Sequence, residues 1–119
     1  MAEHNELGIQ GEKMAVNHLE QNGYTIVEKN WRFGKAEIDI IAQKDEVLAI
    51  VEVKTRTTDW FGNPQEFVTP KKRKLLIGAA NEYVIKNDLD TETRFDIIAI
   101  VINKQTTSLE HIEDAFYPF

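Results

Sequence analysis

The sequence predicts an α/β (α+β) domain with a mixed central sheet flanked by helices, and three observations carry that prediction. Two stretches, near residues 6–22 and 70–86, repeat apolar residues at helical spacing. Four others, "YTIVEKNWR", "KAEIDIIAQ", "EVLAIVEVKTR" and "RFDIIAIVI", are rich in Val and Ile and read as strands. Their order is α-β-β-β-α-β, a succession that packs helices against one sheet. With 119 residues the chain is expected to form one domain, 1–119, large enough to bury a core.

In the first helix Leu7, Gly11, Met14, Ala15, His18 and Leu19 fall on one arc, and Asn22-Gly23 supplies a stop. Gly8 and Gly11 lower helix propensity, which points to close backbone packing or contact with a ligand. Gly34 separates the first two strands, and "KDEV" turns the second strand into the third. Residues 57–68 contain Gly-Asn-Pro without a clear period and read as a loop. Thr69 then caps a helix with Pro70 at its first position, and Leu75, Leu76, Ala79, Ala80 and Tyr83 mark its buried side. "HIEDAFYPF" reads as a C-terminal tail holding a short helix or strand.

The chain has no cysteine, which excludes disulfides, thiolate metal sites and cysteine nucleophiles. No apolar run reaches the roughly 20 residues of a membrane span, and no signal-peptide core opens the chain. A cytoplasmic protein without a membrane partner is expected. The net charge of −6 argues weakly against nucleic acid. The basic residues nevertheless cluster at "KTR" and "PKKRK", so a local basic face survives the average.

The charged end of the third strand carries the chemistry. Glu52 and Lys54 share a face with Leu48 and Ile50, at the edge of a core. If Asp45 and Glu46 form the hairpin loop, Asp39 lies opposite Glu52, and Glu37 opposite Lys54. Like charges so placed are unfavourable unless compensated, and a divalent cation compensates two carboxylates. Lys54 would then assist a metal-activated water or offset charge on a phosphate. A cross-strand salt-bridge ladder, with Glu37 paired to Lys54, is the rival reading. Glu12, at the edge of the apolar arc of the first helix, is either snorkelling or a third carboxylate for the same site.

"AEIDII" followed by "VEVK" resembles the bipartite motif of the PD-(D/E)XK nuclease superfamily, an Asp, a spacer and Glu-x-Lys on the next strand. More closely, "GIQGEKMAVNHLEQNGY", "NWRFGKAEIDIIA", "VEVKTR", "VTPKKRKLLIGAANEYV" and "RFDIIAI" resemble the uncharacterised bacterial YraN family, across nearly the whole chain. That family is related by sequence pattern to archaeal-type Holliday-junction resolvases. The resemblance implies a restriction-endonuclease-like core in which Asp39 and Glu52 hold Mg²⁺ or Mn²⁺ and Lys54 assists the attacking water. Glu12 matches the helix carboxylate of the resolvase-like branch. Ile38 stands where the nominal Pro of the superfamily would be. The resemblance supplies no substrate.

Lys71, Lys72, Arg73 and Lys74 crowd the first turn of the second helix, where cations oppose the macrodipole. A bound phosphate would reverse that argument. Lys72 is read as facing the site, and Lys71, Arg73 and Lys74 as contacts to a nucleic-acid backbone, with Arg56 continuing the Lys54 face. A merely solvated basic turn is the alternative. Trp60, Phe61 and Phe67 either stack on bases or fasten their loop. His18 reads as a satisfied buried histidine, while His4 and His111 carry no signal. The expectation is a metal-dependent nuclease acting on DNA ahead of RNA, branched or structured DNA included. Its rivals are a nuclease-fold nucleic-acid-binding module with weak or absent catalysis, and an interaction subunit. Resolvase-like relatives work as dimers, which leaves a homodimer open here.

Overall fold

The computed structural model describes residues 6–58 and 68–116. In chain order it contains α1 (Glu6–Gln21), β1 (Thr25–Phe33), β2 (Ala36–Lys44), β3 (Val47–Arg56), α2 (Pro70–Lys86), β4 (Glu92–Ile102) and β5 (Thr107–Phe116). The strands form one sheet in the order β1-β2-β3-β4-β5. β3 and β4 run parallel, joined across α2, and the other neighbours are antiparallel. This is the expected α+β class with a mixed sheet, and it is compatible with a restriction-endonuclease-like core.

Local chemistry explains the helix ends. Gly23 takes φ 91° after α1, a conformation open to glycine. The Tyr24 N–H then reaches the Leu19 carbonyl and the Gly23 N–H the Glu20 carbonyl, the two bonds of a Schellman cap. Asp88 plays the same part after α2, where Leu89 and Asp88 donate to Val84 and Ile85. At the start of α2 the Thr69 hydroxyl accepts from the Lys72 N–H at 3.1 Å, as the cap requires.

Each helix covers one face of the sheet. On the α1 face Ala15, Leu19 and Tyr24 pack with Ile40, Ala49, Val51, Ile98 and Ile100. On the α2 face Leu76, Ala79 and Tyr83 pack with Leu48, Ile50, Phe95 and Ile97. Burying each Leu or Ile side chain is favourable by roughly 1.5–3 kcal/mol, so the central strands, apolar on both faces, anchor the fold.

Two expectations change in detail. Leu75, assigned to the buried side of α2, is exposed, because the contact stripe passes through Leu76, Ala79 and Tyr83. The C-terminal segment is a strand, and it begins at Thr107. It is an edge strand with mostly exposed positions, so its first residues carry no apolar alternation to reveal it. Trp60, Phe61, Phe67 and His4 lie outside the described residues. No helix among the described residues is long and apolar enough to cross a membrane.

Candidate active site

The hairpin register is the one the loop arithmetic requires, running from Lys44↔Val47 to Ile40↔Val51. There the ladder ends, while β3 stays paired with β4 through Arg56↔Val101. β2 therefore parts from β3 one step before Asp39 would face Glu52. The Val53 N–H donates instead to Asp39 Oδ2 at 2.8 Å, so a side chain takes over where backbone pairing stops. The β2–β3 ladder thus ends toward the carboxyl end of β3, the side on which α/β sheets commonly receive ligands.

β2 is irregular at the same point. Ile38 packs on the α2 face and Ile40 on the α1 face, although a regular strand would put both on one side. Across from Asp39, between the pairs Lys29↔Ile40 and Trp31↔Ile38, Asn30 adopts φ 54°. The switch of face sets Asp39 between the two helices, where it feels both Glu12 of α1 and Lys72 of α2.

The electrostatics of this junction are unresolved by the protein itself. Burial, then Glu52, pushes the Asp39 carboxyl up to about 8, with Glu12 adding to the rise. The Val53 N–H and, more weakly, Lys72 act the other way. Glu52 is buried on the α2 face, and its Oε2 pairs with Lys72 Nζ at 2.5 Å. Its Oε1 is buried without a hydrogen-bond partner among the described residues. An orphaned carboxylate oxygen beside a second, strained carboxylate fits a divalent cation, since Mg²⁺ takes one or two carboxylates and keeps its waters. Among the described residues no cluster of three or more acidic or imidazole groups is gathered for a metal. The carboxylates available to such an ion are Asp39 and Glu52, with Glu12 as an electrostatic neighbour.

The remaining residues singled out in the sequence divide into those near this junction and those tied elsewhere. Lys54 follows Glu52 on the same strand face and is half-buried. Its expected partner Glu37 is engaged across β1 by Arg32 at 3.6 Å, because β2 has left β3 before the two could meet. The Glu37–Lys54 rung of the rival ladder is therefore absent. Arg56 ends β3 and is exposed. Arg73 donates from Nε to the Val68 carbonyl at 2.9 Å and lies over the Phe116 ring, tying α2 to β5. Lys74 is exposed. Lys71 and Lys72 line a groove of about 290 Å³ with Lys35, Glu37, Thr69 and Leu75. Lys35 was not singled out in the sequence, where a lone Lys after a turn glycine carries no signal.

Gly11 explains how α1 comes so near. A Cβ built there would lie 1.9 Å from Thr55 Oγ1, so any side chain would push the helix off the end of β3. Glu12 is the next residue, and with Asn30 it lines a cavity of about 430 Å³ between α1 and β1.

Comparison with known proteins places the chain. A family model described as "Uncharacterised protein family UPF0102" matches residues 11–100. This chain belongs to that family, the YraN family. It is 60% identical to a UPF0102 protein of Flavobacterium psychrophilum over 119 residues, the full length of both. A Christiangramia forsetii member is 56% identical over the full length of both chains. A Phocaeicola vulgatus member is 47% identical over 118 residues, covering 99% of this chain and 98% of its own. The family description names no activity, so function rests on the geometry.

Proposed function

We propose that this UPF0102 protein is a divalent-metal-dependent nuclease that hydrolyses phosphodiester bonds of DNA, branched or otherwise structured DNA included. The observation that carries the reading is the buried Glu52 Oε1, without a hydrogen-bond partner among the described residues, beside Asp39 where β2 leaves β3. The resemblance of "EIDI" and "VEVK" to the PD-(D/E)XK motif supports it. A Mg²⁺ or Mn²⁺ ion held by Asp39 and Glu52 would polarise a phosphate oxygen and acidify a bound water.

The chain's own residues do the rest. Asp39, protonated in part at neutral pH, gives up its proton when a cation replaces it. The Val53 N–H holds the Asp39 carboxylate in place. Lys54 supplies a positive charge on the Glu52 face of β3, against charge that grows on phosphate in the transition state. Lys35 and Lys71, in the groove beside Lys72, neutralise the phosphates of the bound strand.

Cleavage of linear, flapped and four-way DNA with Mg²⁺ or Mn²⁺ tests the reading. Wild-type protein should cut at least one substrate, and Asp39→Asn and Glu52→Gln should not. Wild-type-like cutting by both variants would sink the mechanism. A second reading, a nucleic-acid-binding module of the same fold without catalysis, is favoured by one observation: Lys72 already neutralises Glu52. Calorimetry separates the two, because the module predicts no Mg²⁺ binding that depends on Asp39 and Glu52.

A further inference from the structure

A second polar cluster lies on the α1 face of the sheet, apart from that site. Asp96 in β4 is fully buried. Arg94 donates to it from Nε at 2.9 Å and Nη2 at 2.8 Å, and the Asp114 N–H donates at 3.1 Å. His111 Nε2 lies 2.8 Å from Asp96 Oδ2. Burial pushes the Asp96 carboxyl up, but the bonds from His111, Arg94 and Asp114 outweigh it and hold the group below the usual range.

An ionised carboxylate only accepts, which sets the direction of every bond that follows. His111 Nε2 therefore donates to Asp96, and in the neutral ring that metal binding requires its Nδ1 is a lone pair. His18 Nε2 lies 3.1 Å from it and donates to that lone pair in this tautomer. The His18 imidazole has its pKa lowered by burial first and then by His111 whenever that neighbour is charged. Its Nδ1 is then a lone pair as well, with Asn22 Nδ2 at 3.5 Å. The two imidazoles, Asn22, Tyr24, Lys44 and Glu113 line a cavity of about 410 Å³.

We propose that His18 Nε2 and His111 Nδ1 together chelate a borderline transition-metal ion of the Zn²⁺ or Ni²⁺ class in this cavity, with water filling the other positions. Two imidazole nitrogens on a tetrahedral Zn²⁺ stand roughly 3.3 Å apart, given Zn–N bonds of about 2.0–2.1 Å. The gap between these nitrogens is 3.1 Å, and the rings stand 78° to one another. A histidine ligand almost always donates its other N–H to a carboxylate or carbonyl, and Asp96 already receives that of His111. Imidazole ligands suit Zn²⁺ and Ni²⁺, whereas Mg²⁺ takes oxygen, so this site and the carboxylate pair select different ions. Loading moves the proton of the neutral His18 ring from Nε2 to Nδ1, where water accepts it because Asn22 Nδ2 stays with the His18 carbonyl at 2.8 Å, and no net proton is released.

Zn²⁺ titration of the full chain, followed by calorimetry and by ¹⁵N–¹H spectra of the imidazole nitrogens, tests the proposal. Zn²⁺ should switch His18 to the Nδ1–H tautomer and shift His111 Nδ1. His18→Ala should weaken that binding at least ~10-fold and leave the Asp96–His111 pair in place. Glu52→Gln should leave the imidazole response unchanged. Imidazole signals that do not move on Zn²⁺ addition overturn the proposal, as does His18→Ala binding Zn²⁺ as tightly as wild type at the same site. Should His18→Ala fail to fold, the wild-type tautomer spectrum decides by itself.

Discussion

Two acids in this small molecule, Asp96 and Asp39, are removed from water in opposite ways. Asp96 is completely buried, yet Arg94, His111 and the Asp114 N–H satisfy it and keep it ionised. Asp39 receives the Val53 N–H but faces Glu52 and Glu12, and its carboxyl is driven up to about 8. A satisfied buried acid orders its surroundings. An acid left crowded against another stores electrostatic repulsion that a cation can relieve, and such perturbed groups gather at functional sites.

Replacing Asp96 with Ala should have the largest effect on stability. It removes the buried partner of the Arg94 guanidinium, leaving it Tyr24 and the more exposed Glu113 at 3.7 Å, so chemical denaturation should show a loss of about 3 kcal/mol. A loss under 1 kcal/mol would mean that the network is not the anchor described. On the other side of the comparison, Glu52→Gln should weaken Mg²⁺ binding at least ~100-fold in calorimetry, a first-sphere loss exceeding the usual cost of an outer-sphere change.

Asp39→Asn should act on stability with the opposite sign to Asp96→Ala. Asn keeps an oxygen to accept from Val53 and carries no charge. The folded pKa of Asp39, about 8, lies above the ~3.9 of an unfolded chain. The folded state therefore binds the extra proton, and stability from this group falls as pH rises from about 4 through about 8. Above pH 8 the Asn variant should melt a few degrees higher than wild type without metal, and near pH 4 the two should converge. Over the same window Mg²⁺ should bind wild type more tightly as pH rises, because less proton has to be displaced.

The smallest effect is expected at Lys72. Lys72→Met removes the ammonium from Glu52, so Mg²⁺ should bind several-fold more tightly while binding to DNA weakens. Unchanged Mg²⁺ affinity would show that Lys72 does not compete with the ion for Glu52.

Much of this could be read along the chain, for a physical reason. Hairpins are local, so the two-residue loop at Asp45-Glu46 dictates the β2–β3 register, and Glu52 follows Leu48 and Ile50 onto the α2 face. Caps are local too, and Thr69, Pro70 and Gly23 end their helices as their chemistry requires. The Asp96 cluster escaped notice because its members come from α1, β4 and β5. His18 and His111 are 93 residues apart, and "RFD" reads only as polar positions in an apolar strand. β5 itself was half hidden, since exposed edge positions need no apolar period.

The sequence by itself determined the two helices, the first four strands, the hairpin register and the shared face of Glu52 and Lys54, all consequences of backbone periodicity and short loops. Only the tertiary structure decided where β2 leaves β3, that Val53 rather than a strand partner holds Asp39, and that Lys72 reaches Glu52. It also decided that Arg32 takes Glu37 and that two histidines meet over Asp96. Those outcomes depend on how two helices close on opposite faces of one sheet, and no local pattern encodes a distance between them.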